Sequence, residues 1–132
     1  MAIKFEVSAL IPASPETVYN AWLDSEEHAR MTGDTARVTA VAGEAFEAWG
    51  GYIQGKNLEL EPGKRILQSW RTSEFEESDA DSLLEVVFTP EGSGTRVMIH
   101  HSALPPHGMQ YQQGWIDSYF TPMKEYFGNL VG

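Results

Sequence analysis

The sequence predicts an α+β fold: a curved antiparallel sheet of about six to seven strands, one long C-terminal helix packed across it, and two short helices after the first strand. Two observations carry this. From Arg37 to Ser102 the apolar residues alternate with a period of two, in runs separated by turn pairs. The closing segment GWIDSYFTPMKEYFGNLVG instead follows the helical turn of about 100° per residue. On that helix Trp115, Ile116, Tyr119, Phe120, Met123, Tyr126, Phe127 and Leu130 fall within an arc of about 140°.

Each element has a local cause. IKFEVSALI has strand composition. Ser14 is suited to cap a helix whose first position is Pro15, with Val18, Ala21 and Trp22 at helical spacing. Asp24 or Ser25 caps a second short helix that runs through Met31 and stops at Gly33. Three strand pairs follow. ARVTAV and EAFEAW flank Ala42-Gly43, YIQGKNLELE and KRILQSW flank Pro62-Gly63, and SLLEVVFT and TRVMIHHS flank PEGSG. The glycines of GYIQG mark a bulge where the sheet bends. SALPPHGMQYQQ reads as a loop leading into the long helix.

Pro122 interrupts an otherwise well-patterned helix. An interior proline costs about 3 kcal/mol, because it removes a donor and crowds the carbonyl one turn earlier, here that of Ser118. Burying the eight arc residues offers several times as much, at about 1.5–3 kcal/mol each. The helix is expected to survive, bent at Pro122, with space kept beneath Tyr119 and Met123.

Composition narrows the function. With 132 residues, 42% of them hydrophobic, the chain reads as one domain over 1–132. A net charge of −10 argues against nucleic acid and anionic membrane as partners. The absence of cysteine excludes a disulfide framework, a thiolate metal site and a cysteine nucleophile. MAIKFEVSAL lacks the apolar core of a signal peptide, and no apolar run approaches about 18 residues, so a cytoplasmic location is expected.

IPASPETVYNAW, WGGYIQGKNLELEPGKRILQSW, FTPEGSGTRVMIHHSALP and GWIDSYFTPMKEYF, in this order, resemble the superfamily that includes birch-pollen allergen and START lipid-transfer domains. More closely they look like its branch named after the activator of the ninety-kilodalton heat-shock chaperone's ATPase. The similarity runs from about Phe5 to Phe127. It implies the helix-grip fold, an apolar cavity between helix and sheet, and a proline in the last helix as a family feature. No catalytic residue set is shared across the superfamily, so none is carried over.

The residues themselves suggest a cavity wall. Trp115, Tyr119, Phe120 and Met123 combine large aromatics with a flexible thioether. Period two places Ile66, Gln68 and Trp70 on one face, as it does Leu84, Val86 and Phe88, and again Val97, Ile99 and His101. If these are the inward sets, Gln68, Trp70 and His101 bring polar groups into an apolar space, as a selective pocket requires. The candidate ligand-binding set is therefore Gln68, Trp70, Val86, Phe88, Ile99, His101, Trp115, Tyr119, Phe120 and Met123.

His101 is the one acid/base candidate, against the plainer reading of a hydrogen-bonded core histidine. His100 and His101 point to opposite faces, and His28 and His107 have no ligand spacing, so neither metal nor cofactor is expected. SEFEESDADS reads as a solvated acidic loop, or else as a recognition surface for a basic partner. The leading reading is non-enzymatic binding of a small hydrophobic or amphipathic molecule. Its rivals are a co-chaperone-like protein-interaction module and a cyclase- or hydrolase-type enzyme using His101. The sequence leaves the oligomeric state open.

Overall fold

The computed structural model describes residues 2–131, and the side chains of 129–131 are outside that description, Leu130 of the apolar arc among them. Strand β1 (Ile3–Ile11) leads into helices α1 (Pro15–Trp22) and α2 (Ser25–Thr32). Six strands follow: β2 (Ala36–Arg37), β3 (Ala45–Ala48), β4 (Ile53–Glu61), β5 (Arg65–Thr72), β6 (Ser82–Glu91) and β7 (Gly94–Leu104). They form one antiparallel sheet in the order β1-β7-β6-β5-β4-β3-β2. The C-terminal helix, α3, has three segments: α-helical Gln110–Gly114, π-helical Trp115–Phe120 and α-helical Thr121–Val131. This is the helix-grip arrangement of the α+β class.

Local chemistry sets the ends. The Ser14 hydroxyl accepts the Thr17 N–H at 3.2 Å, and Pro15 opens α1. Asp24, not Ser25, caps α2, accepting the Glu27 N–H at 2.9 Å, and Gly33 closes it in the left-handed region. Gly63 takes φ 72° in the β4–β5 turn, as the Pro62-Gly63 pair requires. Pro90 stands inside β6, beyond Val87, where β5 stops pairing, so its missing N–H breaks no ladder bond on that side.

The inward rows are those the alternation implies. Val7, Ile99, Val86 and Ile66 lie opposite one another across four strands, and Phe5, His101, Leu84 and Gln68 form the next row. Against them α3 buries Trp115, Tyr119, Phe120, Met123 and Phe127, with Trp22 and Met31 of the short helices closing the core. His100 points the other way and sits 2.5 Å from Glu6.

Three local expectations need correction. ARVTAV pairs over only Ala36–Arg37, because the Ser25 hydroxyl takes both the N–H and the carbonyl of Val38 at 3.0 Å. The Asn57 amide then takes the carbonyls of Thr39 and Val41 in place of a ladder. The register shift in β4 lies between Asn57 and Glu59, beyond GYIQG. Gly55 serves close approach instead, since a Cβ there would stand 1.9 Å from the Ser69 carbonyl oxygen and 2.7 Å from the Phe46 ring. Finally, the long helix begins at Gln110, so QYQQ is its first turn and not loop.

The chain meets Pro122 with the π-helical stretch. The Thr121 N–H bonds to the Ile116 carbonyl, five residues back. Upstream widening shifts the hydrogen-bond register, so the proline falls at the start of a fresh α-helical segment, where a missing N–H costs little. Pro122→Ala should therefore gain less than about 1 kcal/mol, not the 3 kcal/mol of an interior proline. Urea unfolding measures it. A full gain would mean that the widened turn is not adapted to the sheet beneath.

Candidate functional site

A pocket of about 450 Å³ opens where the first half of α3 crosses the end of the sheet. The helix contributes Tyr111, Trp115 and Tyr119, one turn apart, with Gly114 and Ser118 between them. Opposite stand Trp70 of β5, Ile53 at the start of β4, and Trp49 and Tyr52 from the β3–β4 loop. Asp34, between α2 and β2, and Gln110 complete the rim. Six aromatic side chains thus converge on one space. Gly114 is part of its shape: a Cβ there would meet nothing within 4 Å. A hollow of about 570 Å³ beside the β6–β7 turn is larger, but Pro12, Gly92 and Lys124 line it and, among the described residues, no aromatic group does.

Hydrogen bonds fix the aromatic wall. The Trp115 indole N–H donates to His101 Nδ1 at 3.1 Å, so that nitrogen carries no proton. The imidazole proton is therefore on Nε2, which donates to the Ser82 hydroxyl at 2.9 Å, and that hydroxyl donates to the Trp70 carbonyl at 2.6 Å. Both ring nitrogens are committed. Burial lowers the His101 pKa to about 3, so it stays neutral at ordinary pH.

A second buried histidine holds the neighbouring ring. His28 donates from Nδ1 to the Trp22 carbonyl at 2.7 Å, and its Nε2 accepts the Tyr119 hydroxyl proton at 2.8 Å. Burial lowers the His28 pKa, opposed by the carbonyl bond, and burial pushes the Tyr119 hydroxyl up. Trp22 stacks on Tyr119 with ring centres 5.0 Å apart. Tyr111 is fixed by Thr72, hydroxyl to hydroxyl at 2.6 Å. Among the described residues, no buried side-chain nitrogen or oxygen lacks a partner.

The acidic loop after β5 borders this site and is ordered by Arg71. Its guanidinium donates to the carbonyls of Glu76 and Asp79 and to the Asp81 carboxylate, and lies over the Phe75 ring. Glu74 joins the loop to the pocket rim, accepting the Tyr52 hydroxyl proton and, at 2.8 Å, the Gln110 amide. SEFEESDADS is thus a structured border whose Glu74, Glu76, Glu77 and Asp81 remain exposed to solvent, as a solvated acidic loop requires.

Of the residues singled out from the sequence, Trp70, Trp115 and Tyr119 line the pocket. His101 stands behind Trp115 as its acceptor, and Gln68 donates to the Asn57 side chain at 2.9 Å inside the core. Val86, Phe88, Ile99, Phe120 and Met123 pack in the closed core, and Met123 is fully buried. The space therefore lies beside Tyr119 and not under Met123. Sequence reasoning missed Tyr111, although it extends the Trp115–Tyr119 stripe by one turn. It also missed Trp49, Tyr52 and Asp34, which sit in loops without periodicity.

Comparison with known proteins agrees with the fold. The family model described as Activator of Hsp90 ATPase homolog 1-like protein matches residues 12–128. The Homo sapiens activator of 90 kDa heat shock protein ATPase homolog 1 is 27% identical over 116 residues, covering 87% of this chain and 34% of the human protein. The chain thus spans about a third of the length of the curated relatives it matches. An HSP90 activator from Plasmodium falciparum superposes with a TM-score of 0.85 at 22% identity, over 96% of each chain. The Aha1 dimer from Colwellia psychrerythraea gives 0.79 at 18%, over 95% of this chain and 96% of its own. These two structures speak for the fold. With the family model covering most of its length, the chain belongs to the family of Activator of Hsp90 ATPase homolog 1-like proteins.

Proposed function

We propose that this chain, folded as one helix-grip domain, binds a small hydrophobic or amphipathic molecule in the aromatic pocket and does not transform it. The observation that carries this is the convergence of six aromatic side chains around about 450 Å³, a size that suits a small organic ligand. The histidines support binding without turnover: His101 and His28 have both ring nitrogens engaged, so neither is a base poised for substrate. Three of the four tryptophans line the pocket, so an occupant should alter intrinsic fluorescence. Titration with the neutral dye N-phenyl-1-naphthylamine should give saturable, one-to-one quenching. Linear, unsaturable quenching would count against the pocket.

Family membership favours a second reading, a co-chaperone-like interaction with the 90 kDa heat shock protein. Its test is stimulation of that chaperone's ATP hydrolysis by the purified chain. Stimulation that is indifferent to dye occupancy would separate the two roles.

A further inference from the structure

Resting on the binding reading above, we propose that the ligand is an organic cation, an ammonium or quaternary ammonium group on an apolar body. Among the described residues the pocket wall contains no lysine, arginine or histidine, and its one carboxylic acid is Asp34, exposed at the rim. A second carboxylate, Glu74, touches the rim through Tyr52 and Gln110. An anion would find no basic side chain here. A neutral molecule would fill the space but gain nothing from the rim charges.

The walls suit a cation as well. Indole and phenol rings carry negative faces, and several such rings around one space attract a poorly hydrated cation. By donating its hydroxyl proton to Glu74, Tyr52 leaves its own ring richer in electron density. The backbone also holds an aromatic ring here at a cost. Trp49 has φ 55°, a conformation that disfavours side chains, and Gly50 and Gly51 continue it at 65° and 90°. Thr35 pins the turn, its carbonyl accepting the Trp49 N–H at 2.8 Å and its hydroxyl the Gly50 N–H at 3.0 Å. A non-glycine residue kept in such a conformation, with its ring on a pocket wall, is the pattern of a ligand clamp.

Two probes of the same shape test the charge alone: benzyltrimethylammonium and its carbon isostere neopentylbenzene, each titrated against bound N-phenyl-1-naphthylamine. The cation should bind at least fivefold more tightly than the isostere, by about 1 kcal/mol. That preference should shrink in Asp34→Asn and at high salt, since the rim charge is exposed and screened. It should shrink in Trp49→Leu at any salt. Asp34 is a surface residue, so its variant keeps the comparison meaningful if Trp49→Leu folds poorly. Equal displacement by the two probes, or dye binding with no displacement by the cation, overturns the charge preference and leaves the pocket reading standing. Failure of the dye to bind the unaltered protein overturns both.

Discussion

Between pH 7 and pH 4 the protein is expected to lose about 3 kcal/mol of stability through His101 alone, rising to about 4 kcal/mol by pH 3. The sign follows from the direction of the shift. His101 takes up a proton near pH 6.5 in the unfolded chain but only near pH 3 in the folded one. Between those values the unfolded state binds more protons, so stability is full above pH 6.5 and drains as pH falls. The structural cause is burial of the ring away from water; the Trp115 bond works in the same sense, since a proton on Nδ1 would face the indole N–H, donor against donor. His28, also lowered by burial, acts in the same direction.

His101→Gln separates this contribution from general acid sensitivity. The amide offers one acceptor and one donor, so it can take the Trp115 proton and reach Ser82 without titrating. At pH 7 the variant should be weaker by about 1–3 kcal/mol, the scale of imperfectly made buried hydrogen bonds. Its stability should then fall less steeply than that of the parent between pH 7 and pH 4, by urea unfolding at each pH. Parallel profiles would mean that the ring is not the acid-sensitive group. Dye binding at pH 7 should be nearly unchanged, because His101 stands behind the wall and not on it.

What was legible in the sequence has a short-range cause. Ser14 before Pro15, Gly33 after α2 and Gly63 after Pro62 each act within one turn of chain, and each is found as expected. Face parity is equally local, and Val97, Ile99 and His101 point inward together. The failures involve distant partners. No feature of ARVTAV reveals that Ser25, 13 residues from Val38, takes its backbone groups. The π-helical stretch is a compromise between Pro122 and the sheet beneath, and the helix pattern alone describes only one side of that.

The pocket was half legible for the same reason. Trp115 and Tyr119 announce themselves by helical spacing, and Trp70 by strand parity. Their counterparts arrive through tertiary structure, Trp49 and Tyr52 from the loop before β4 and Asp34 from the loop after α2. Seven of the ten residues first grouped as cavity wall share the inward faces with the lining residues yet stand away from the open space. Parity tells which side of a sheet a residue faces, not whether the space there is filled.

Gly114→Leu addresses the pocket itself. In a helix the change from glycine gains up to about 1 kcal/mol, and the Cβ position is open, so the fold should hold or strengthen. The added side chain projects into the space between Tyr111, Trp115 and the β3–β4 loop, and occupies what a ligand would. Parent and variant should both be titrated with N-phenyl-1-naphthylamine, with urea unfolding run alongside. The expected result is a variant at least as stable as the parent whose dye affinity has dropped tenfold or more, about 1.4 kcal/mol. A stable variant that binds the dye as the parent does would contradict the assignment of this pocket as the binding site.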